Sequence, residues 1–182
     1  MSRALLVSTP EAKSSVPEFS IRPMTVGDWD QVRPIYLEGI AGGNATFETE
    51  APSWAKWDSC HLSVGRLVAE SQGRIVGWAA LSPISQRKCY AGVQEVSVYV
   101  AATAWRLGIG KSLLLAVVRE AEGAGIWTLQ GSVFPENTAS LRMCEAAGFR
   151  LVGKRERIGR LNGIWRDTVL VERRSAVVGQ AE

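Results

Sequence analysis

Between Gln94 and Val100 the chain alternates with a period of two. Val96, Val98 and Val100 fall on one face, and Glu95, Ser97 and Tyr99 on the other, which is the signature of a β-strand with unlike faces. Upstream, Thr25 followed by Asp28 resembles a capping box, and Val32, Ile35, Tyr36 and Ile40 then recur at helical spacing. Pro34 should bend or interrupt that helix, and Gly42-Gly43-Asn44 ends it. Ser53 is placed to cap a short second helix whose Trp54 and Trp57 read as core residues. Leu67–Glu70 and Arg74–Leu81, joined by Ser71-Gln72-Gly73, read as a hairpin.

After the alternating strand, a glycine-containing turn leads into a helix marked by Leu113, Leu114, Val117, Val118 and Ala121, closed by Gly123 and Gly125. Trp127–Val133 reads as a further strand, and Pro135-Glu136-Asn137 opens a helix through Leu141 and Cys144 that stops at Gly148. Strands around Arg155–Arg160 and Trp165–Val171 follow, with Asn162-Gly163 as the turn between them. The pattern predicts one α+β domain, with a mixed, mostly antiparallel twisted sheet flanked by about four helices. Its expected extent is residues 20–174, with a flexible tail at 1–19 and a C-terminal tail at 175–182.

Length and composition change this picture little: 182 residues, 46% hydrophobic and 21% charged, suit one globular core. The net charge of +3 does not argue for nucleic acid. Eight Lys/Arg lie between Arg150 and Arg174 against Glu156, Asp167 and Glu172, the pattern of a solvated hairpin. Cys60, Cys89 and Cys144 form no CxxC pair, and His61 is the one histidine, so neither a disulfide framework nor a Cys/His zinc site is expected. No apolar run has membrane-spanning length and Met1–Phe19 lacks the apolar stretch of a signal peptide, so cytoplasmic location is the expectation.

The candidate chemistry begins at Trp105-Arg106-Leu107-Gly108-Ile109-Gly110-Lys111, between strand and helix. Two glycines allow a tight turn whose N–H groups converge on an anion at the helix N-terminus. A GxxxxGK[ST] loop is excluded because Trp105 stands where its first glycine belongs, and GxGxxG because Leu113 stands at its third. A coenzyme A pyrophosphate cradle and a plain helix-starting turn both remain open at this point.

Four ordered segments resemble the GNAT acetyltransferase superfamily over about Ile21–Arg173: Glu95–Val100, Gly108-Ile109-Gly110, Pro135–Ser140 and Ala147-Gly148-Phe149. Thr46–Glu50, Leu81-Ser82-Pro83, Tyr90 and Trp165-Arg166-Asp167 are similar to the phosphinothricin N-acetyltransferase branch. Gly125–Gln130 and Arg155–Gly159 are similar to its arsinothricin-resistance members. The resemblance implies acetyl-CoA as co-substrate, no metal, a homodimer, and a small amino-acid substrate such as phosphinothricin, arsinothricin or methionine sulfoximine. Another small-molecule or peptide amine, or a non-catalytic acyl-CoA-binding role, are the alternatives.

By the same resemblance, Glu95 is the general base. Val98, Tyr99, Val100, Arg106, Leu107, Gly108, Ile109, Gly110, Lys111, Ser112, Asn137 and Ser140 hold the acetyl-CoA, with the Val98 N–H facing the developing oxyanion. Phe47, Arg87 and Tyr90 join Glu95 around the acceptor, Arg87 reading its anionic end. The chain departs from the family at Trp105, where Gln or Arg is usual, and at Cys144, where a Tyr or His is common.

Overall fold

The computed structural model describes residues 18–180. Strand β1 (Ser20–Pro23) leads through a 3-10 turn into α1 (Trp29–Ala41), followed by α2 (Trp54–Cys60), β2 (Leu67–Ser71) and β3 (Arg74–Pro83). Then come β4 (Val93–Val100), α3 (Ile109–Gly123), β5 (Thr128–Val133), α4 (Thr138–Ala146), β6 (Arg150–Leu161) and β7 (Ile164–Arg174). The seven strands form one sheet in the order β1-β2-β3-β4-β5-β7-β6, antiparallel throughout except for the β4–β5 pair. Among the described residues no helix is long and apolar enough to cross a membrane.

Local sequence explains most boundaries. The Thr25 N–H donates to Asp28 Oδ2 at 2.7 Å, and Ser53 Oγ accepts from the Lys56 N–H, so both expected caps form. Gln72 (φ 51°) with Gly73 (φ 74°), and Asn162 (φ 49°) with Gly163 (φ 81°), take the left-handed pairs that tight hairpins require. One expectation needs correction: Pro34 does not interrupt α1. The carbonyl it leaves without a helical donor belongs to Asp30, and both residues are exposed, so water can serve that acceptor. The opposite stripe, Trp29, Val32, Ile35 and Tyr36, is buried and pins the helix to the sheet.

Two apolar layers sandwich the sheet. On one face α1 and α2 cover Val68, Trp78 and Ala80 with an aromatic cluster. In it Trp78 stacks on Tyr99 at 4.6 Å and Tyr36 meets Tyr99 edge-on at 4.9 Å. On the other face, Leu113, Leu114 and Val117 of α3, with Cys144 of α4, pack on Ala79, Leu81 and Leu129. The odd and even positions of β4 therefore serve different layers, Tyr99 joining the first and Val96, Val98 and Val100 the second.

The expected tail at 1–19 lies outside the described residues save its last two, of which Phe19 packs against the α3-side core. At the other end, Ser175 is buried: its hydroxyl donates to Glu122 Oε1, which also accepts from Arg173. Residues 175–180 are thus tied to the end of α3, while the last two residues of the expected C-terminal tail also fall outside the description.

Candidate functional site

The β4–β5 ladder is short, pairing only Val93↔Thr128, Gln94↔Leu129 and Glu95↔Gln130. Beyond Glu95 the strands part, while β4 stays paired with β3 as far as Val100↔Gly77. The Ala101 N–H bonds to the Val76 carbonyl at 2.9 Å, so odd positions of β4 turn their main-chain groups toward β3. Even positions turn theirs toward β5. The Glu95↔Gln130 rung uses the Val96 N–H, so it is Val98 and Val100 that present main-chain groups to a wedge with no facing strand. The Val98 N–H, expected to meet an oxyanion, points into it. The Val100 carbonyl is already used, accepting from the indole Nε1–H of Trp105 at 2.8 Å.

Tyr99 stands apart from the other expected cofactor-binding residues. Its ring lies in the aromatic layer on the α1 face, where burial raises its phenol well above the usual range. Its main chain pairs with Trp78 of β3, so it offers the wedge no polar group.

The wedge leads to the N-terminus of α3. Arg106 (φ 65°) and Gly108 (φ 80°) reverse the chain, and Gly108 is the helix N-cap without a side-chain partner. The first intrahelical bond runs from the Ser112 N–H to the Gly108 carbonyl at 3.0 Å. The N–H groups of Ile109, Gly110 and Lys111 before it have no helical acceptor, the arrangement that binds phosphate. Arg106 and Lys111 are exposed beside them and Leu107 is half-buried, whereas the Ile109 side chain belongs to the core. At Gly110 a Cβ would stand 2.8 Å from Met143 Sδ and 3.5 Å from Val100 Cγ2, so glycine lets α3 approach both α4 and the end of β4. Three unpaired N–H groups thus stand together at the mouth of an open strand edge, an arrangement able to hold an anion.

Asn137 caps α4, its Oδ1 accepting from the Ser140 N–H at 3.1 Å and its Nδ2 donating to the Asn44 carbonyl at 3.0 Å. Those bonds give both residues a structural task here. Cys144 is buried in the α3-side core, and desolvation pushes its thiol up to about 11, so it behaves as a small hydrophobe.

At the closed end of the wedge, Glu95 is half-buried and its Oε1 accepts from Ser132 Oγ at 2.9 Å. Ser132 Oγ in turn accepts from Arg155 Nη2 at 2.6 Å, and Arg155 Nε donates to Thr168 Oγ1 at 3.1 Å. Neither Ser132 nor Arg155 stands out as a site residue in the sequence, because 37 residues separate Ser132 from Glu95 and no local motif links them. Two residues beyond Ser132, Phe134 meets Phe47 edge-on at 4.8 Å. Phe47 also covers Gly159, where an added Cβ would lie 2.8 Å from its ring. Between Arg155↔Thr168 and Gly159↔Arg166 the β6–β7 register slips, bulging β6 around Arg157 (φ 50°). The bulge brings Gly159 under Phe47.

Arg87 and Tyr90 lie in the β3–β4 connection, at the Glu95 end of β4 and opposite the glycine turn. Both are exposed, and the Arg87 guanidinium sits over the Tyr90 ring at 5.5 Å. The order along the strand is therefore acceptor loop, Glu95, open wedge and anion cradle. A separate cleft of about 540 Å³ lies between Gly43 and the final hairpin, lined by Asn162, Ile164, Trp165 and Arg166. Among the described residues no group of three His, Cys, Asp or Glu could hold a metal ion.

The acetyltransferase (GNAT) family model matches residues 29–149. A phosphinothricin N-acetyltransferase of Alcaligenes faecalis is 31% identical over 178 residues, covering 91% of this chain and 90% of its own. One from Streptomyces viridochromogenes is 30% identical over 151 residues, covering 81% and 82%. A GNAT superfamily phosphinothricin acetyltransferase from Sinorhizobium meliloti, solved in complex with acetyl-CoA, superposes with a TM-score of 0.80 at 25% identity, covering 90% of this chain and 92% of that one.

Proposed function

This chain belongs to the acetyltransferase (GNAT) family and is an acetyl-CoA-dependent N-acetyltransferase, and we propose that it acetylates the α-amino group of a glutamate-like toxic amino acid. Phosphinothricin, arsinothricin and methionine sulfoximine are the candidate acceptors, and acetylation would confer resistance to them. The observation that carries this reading is Glu95, standing where the β4–β5 ladder ends, between an arginine-bearing loop and the anion cradle.

An α-amino group has a pKa of about 8, so much of it is protonated at neutral pH. Glu95 takes that proton, directly or through one water, and frees the nitrogen lone pair; a positioned base of this kind contributes ~10² to 10⁴-fold. The nitrogen attacks the thioester carbonyl, the new C–N bond forms, and negative charge develops on the carbonyl oxygen. The Val98 N–H donates to that oxygen. When the C–S bond breaks, the thiolate that leaves is a modest base with a pKa of about 8.5, and the proton shed by the new amide nitrogen can pass to it through solvent. No dedicated acid is needed, which accords with the buried, inert Cys144. Arg87 forks onto the anionic end of the acceptor, Tyr90 supplies a hydroxyl, and Phe47 forms a wall against Phe134.

The chain acts as a cytoplasmic homodimer in this proposal. Edge strand β6 and the hairpin tip expose Leu151, Ile158, Ile164 and Trp165, a surface suited to a second copy. The test is thiol release from acetyl-CoA with phosphinothricin, arsinothricin, methionine sulfoximine and glutamate offered separately. Turnover on a toxin with little on glutamate is the expected result, and Glu95→Gln should abolish it while acetyl-CoA still binds. Acetyl-CoA binding with no turnover on any of the four would discard this substrate class.

A further inference from the structure

The hydrogen bonds behind Glu95 have a direction. A guanidinium has five N–H donors and no acceptor, so the 2.6 Å contact from Arg155 Nη2 fixes Ser132 Oγ as the acceptor. The single proton of the Ser132 hydroxyl is then directed to Glu95 Oε1, 2.9 Å away. Arg155 cannot turn away freely, because Nε is held by Thr168 Oγ1 and Thr168 is itself buried. Gln130 and Ser132 lie on the same face of β5, two residues apart, so the hydroxyl reaches Glu95 from just past the last rung of the β4–β5 ladder.

We propose that Ser132, oriented by Arg155, is the positioning residue for Glu95. The bond ties down Oε1 and leaves Oε2 for the proton of the acceptor amine. It also supplies a charge-assisted donor to the ionised carboxylate, the form that a base requires. The inference rests on Glu95 as the base. It adds that the base works at full rate only while its carboxylate is held across the point where two strands separate.

Five variants test it. A hydrogen bond to a charged group lost from this position should slow Ser132→Ala by about tenfold or more in kcat, with KM for both substrates within about twofold. Its Tm should be unchanged, since Ser132 is exposed and its removal opens no core cavity. Ser132→Thr keeps the hydroxyl and should recover most of the rate. Arg155→Met should slow kcat less than Ser132→Ala, and the double variant should be no slower than Ser132→Ala alone, because Arg155 acts through Ser132. A Ser132→Ala variant with unchanged kcat beside an inactive Glu95→Gln overturns the positioning role and leaves the base standing. An additive double variant overturns the part given to Arg155. A Glu95→Gln variant that turns over normally overturns the base, and the relay with it.

Discussion

Gly108 offers a measurement in which one backbone angle reports on the cradle. It sits at φ 80° as the N-cap of α3, and nothing lies within 4 Å of where its Cβ would be. Gly108→Ala therefore meets no clash, and its whole cost is the left-handed conformation, about 1–2 kcal/mol for a residue with a Cβ. That cost has two outlets. If the turn keeps its shape, the strain subtracts from folding stability. If the turn relaxes, the N–H groups of Ile109, Gly110 and Lys111 lose their common aim, and acetyl-CoA affinity falls by up to about 5–30-fold. Urea unfolding without ligand and calorimetric titration with acetyl-CoA measure both outlets on one sample. Gly73→Ala is the matched control: φ is 74°, its Cβ position is equally open, and it lies in the β2–β3 turn away from the wedge. It should lose similar stability and keep full affinity. A Gly108→Ala protein with wild-type stability and affinity, or an equal affinity loss in Gly73→Ala, would refute the assignment of this turn as the cradle.

Further predictions concern the acceptor loop, the indole of the cradle and the α1 cap. Arg87→Gln should lower kcat/KM for an anionic acceptor by about 10–100-fold, the worth of a charged hydrogen bond, while KM for acetyl-CoA stays unchanged in steady-state kinetics. Trp105→Phe removes the donor to the Val100 carbonyl; a loss near 1 kcal/mol should raise KM for acetyl-CoA about fivefold and spare kcat. Hydrogen bonds from Arg22 chiefly, and from the Thr25 N–H and hydroxyl, hold Asp28 at about 2 against an ordinary 3.8. A depressed carboxylate stabilises the fold fully above about pH 4 and loses that contribution as pH falls toward 2. Asp28→Asn should thus cost about 2 kcal/mol at pH 7 in denaturant titrations, and the gap to wild type should narrow below pH 4. A pH-independent gap would place its value elsewhere.

Local order was legible wherever a residue's role follows from its neighbours in the chain. The alternation of Val96, Val98 and Val100 against Glu95, Ser97 and Tyr99 placed β4 and its two faces, because a strand's side chains must alternate. Thr25 with Asp28, Ser53, Gln72-Gly73 and Asn162-Gly163 marked caps and turns through bonds and angles spanning at most a few residues. The glycine turn and its place between strand and helix were equally visible.

What the chain could not disclose locally depends on which strands meet and where they part. Pro34 by itself favours a bend or an interruption, and only the burial of Trp29, Val32, Ile35 and Tyr36 against the sheet shows why α1 is not interrupted there. The wedge exists because β5 pairs with β4 for three residues and then leaves to pair with β7. No periodicity in either strand marks that divergence. Asn137 opens α4 as its place after Pro135-Glu136 suggests, but its second bond, to the Asn44 carbonyl, spans 93 residues and no motif marks it. The Glu95–Ser132–Arg155 line joins three strands across separations of 37 and 23 residues. Local pattern was enough for the helices, six of the seven strands and the acid on β4, but not for the short edge strand β1, which is defined by its pairing with β2; which donors surround that acid depends on assembly of the sheet, since side chains distant in the chain acquire a common geometry only there.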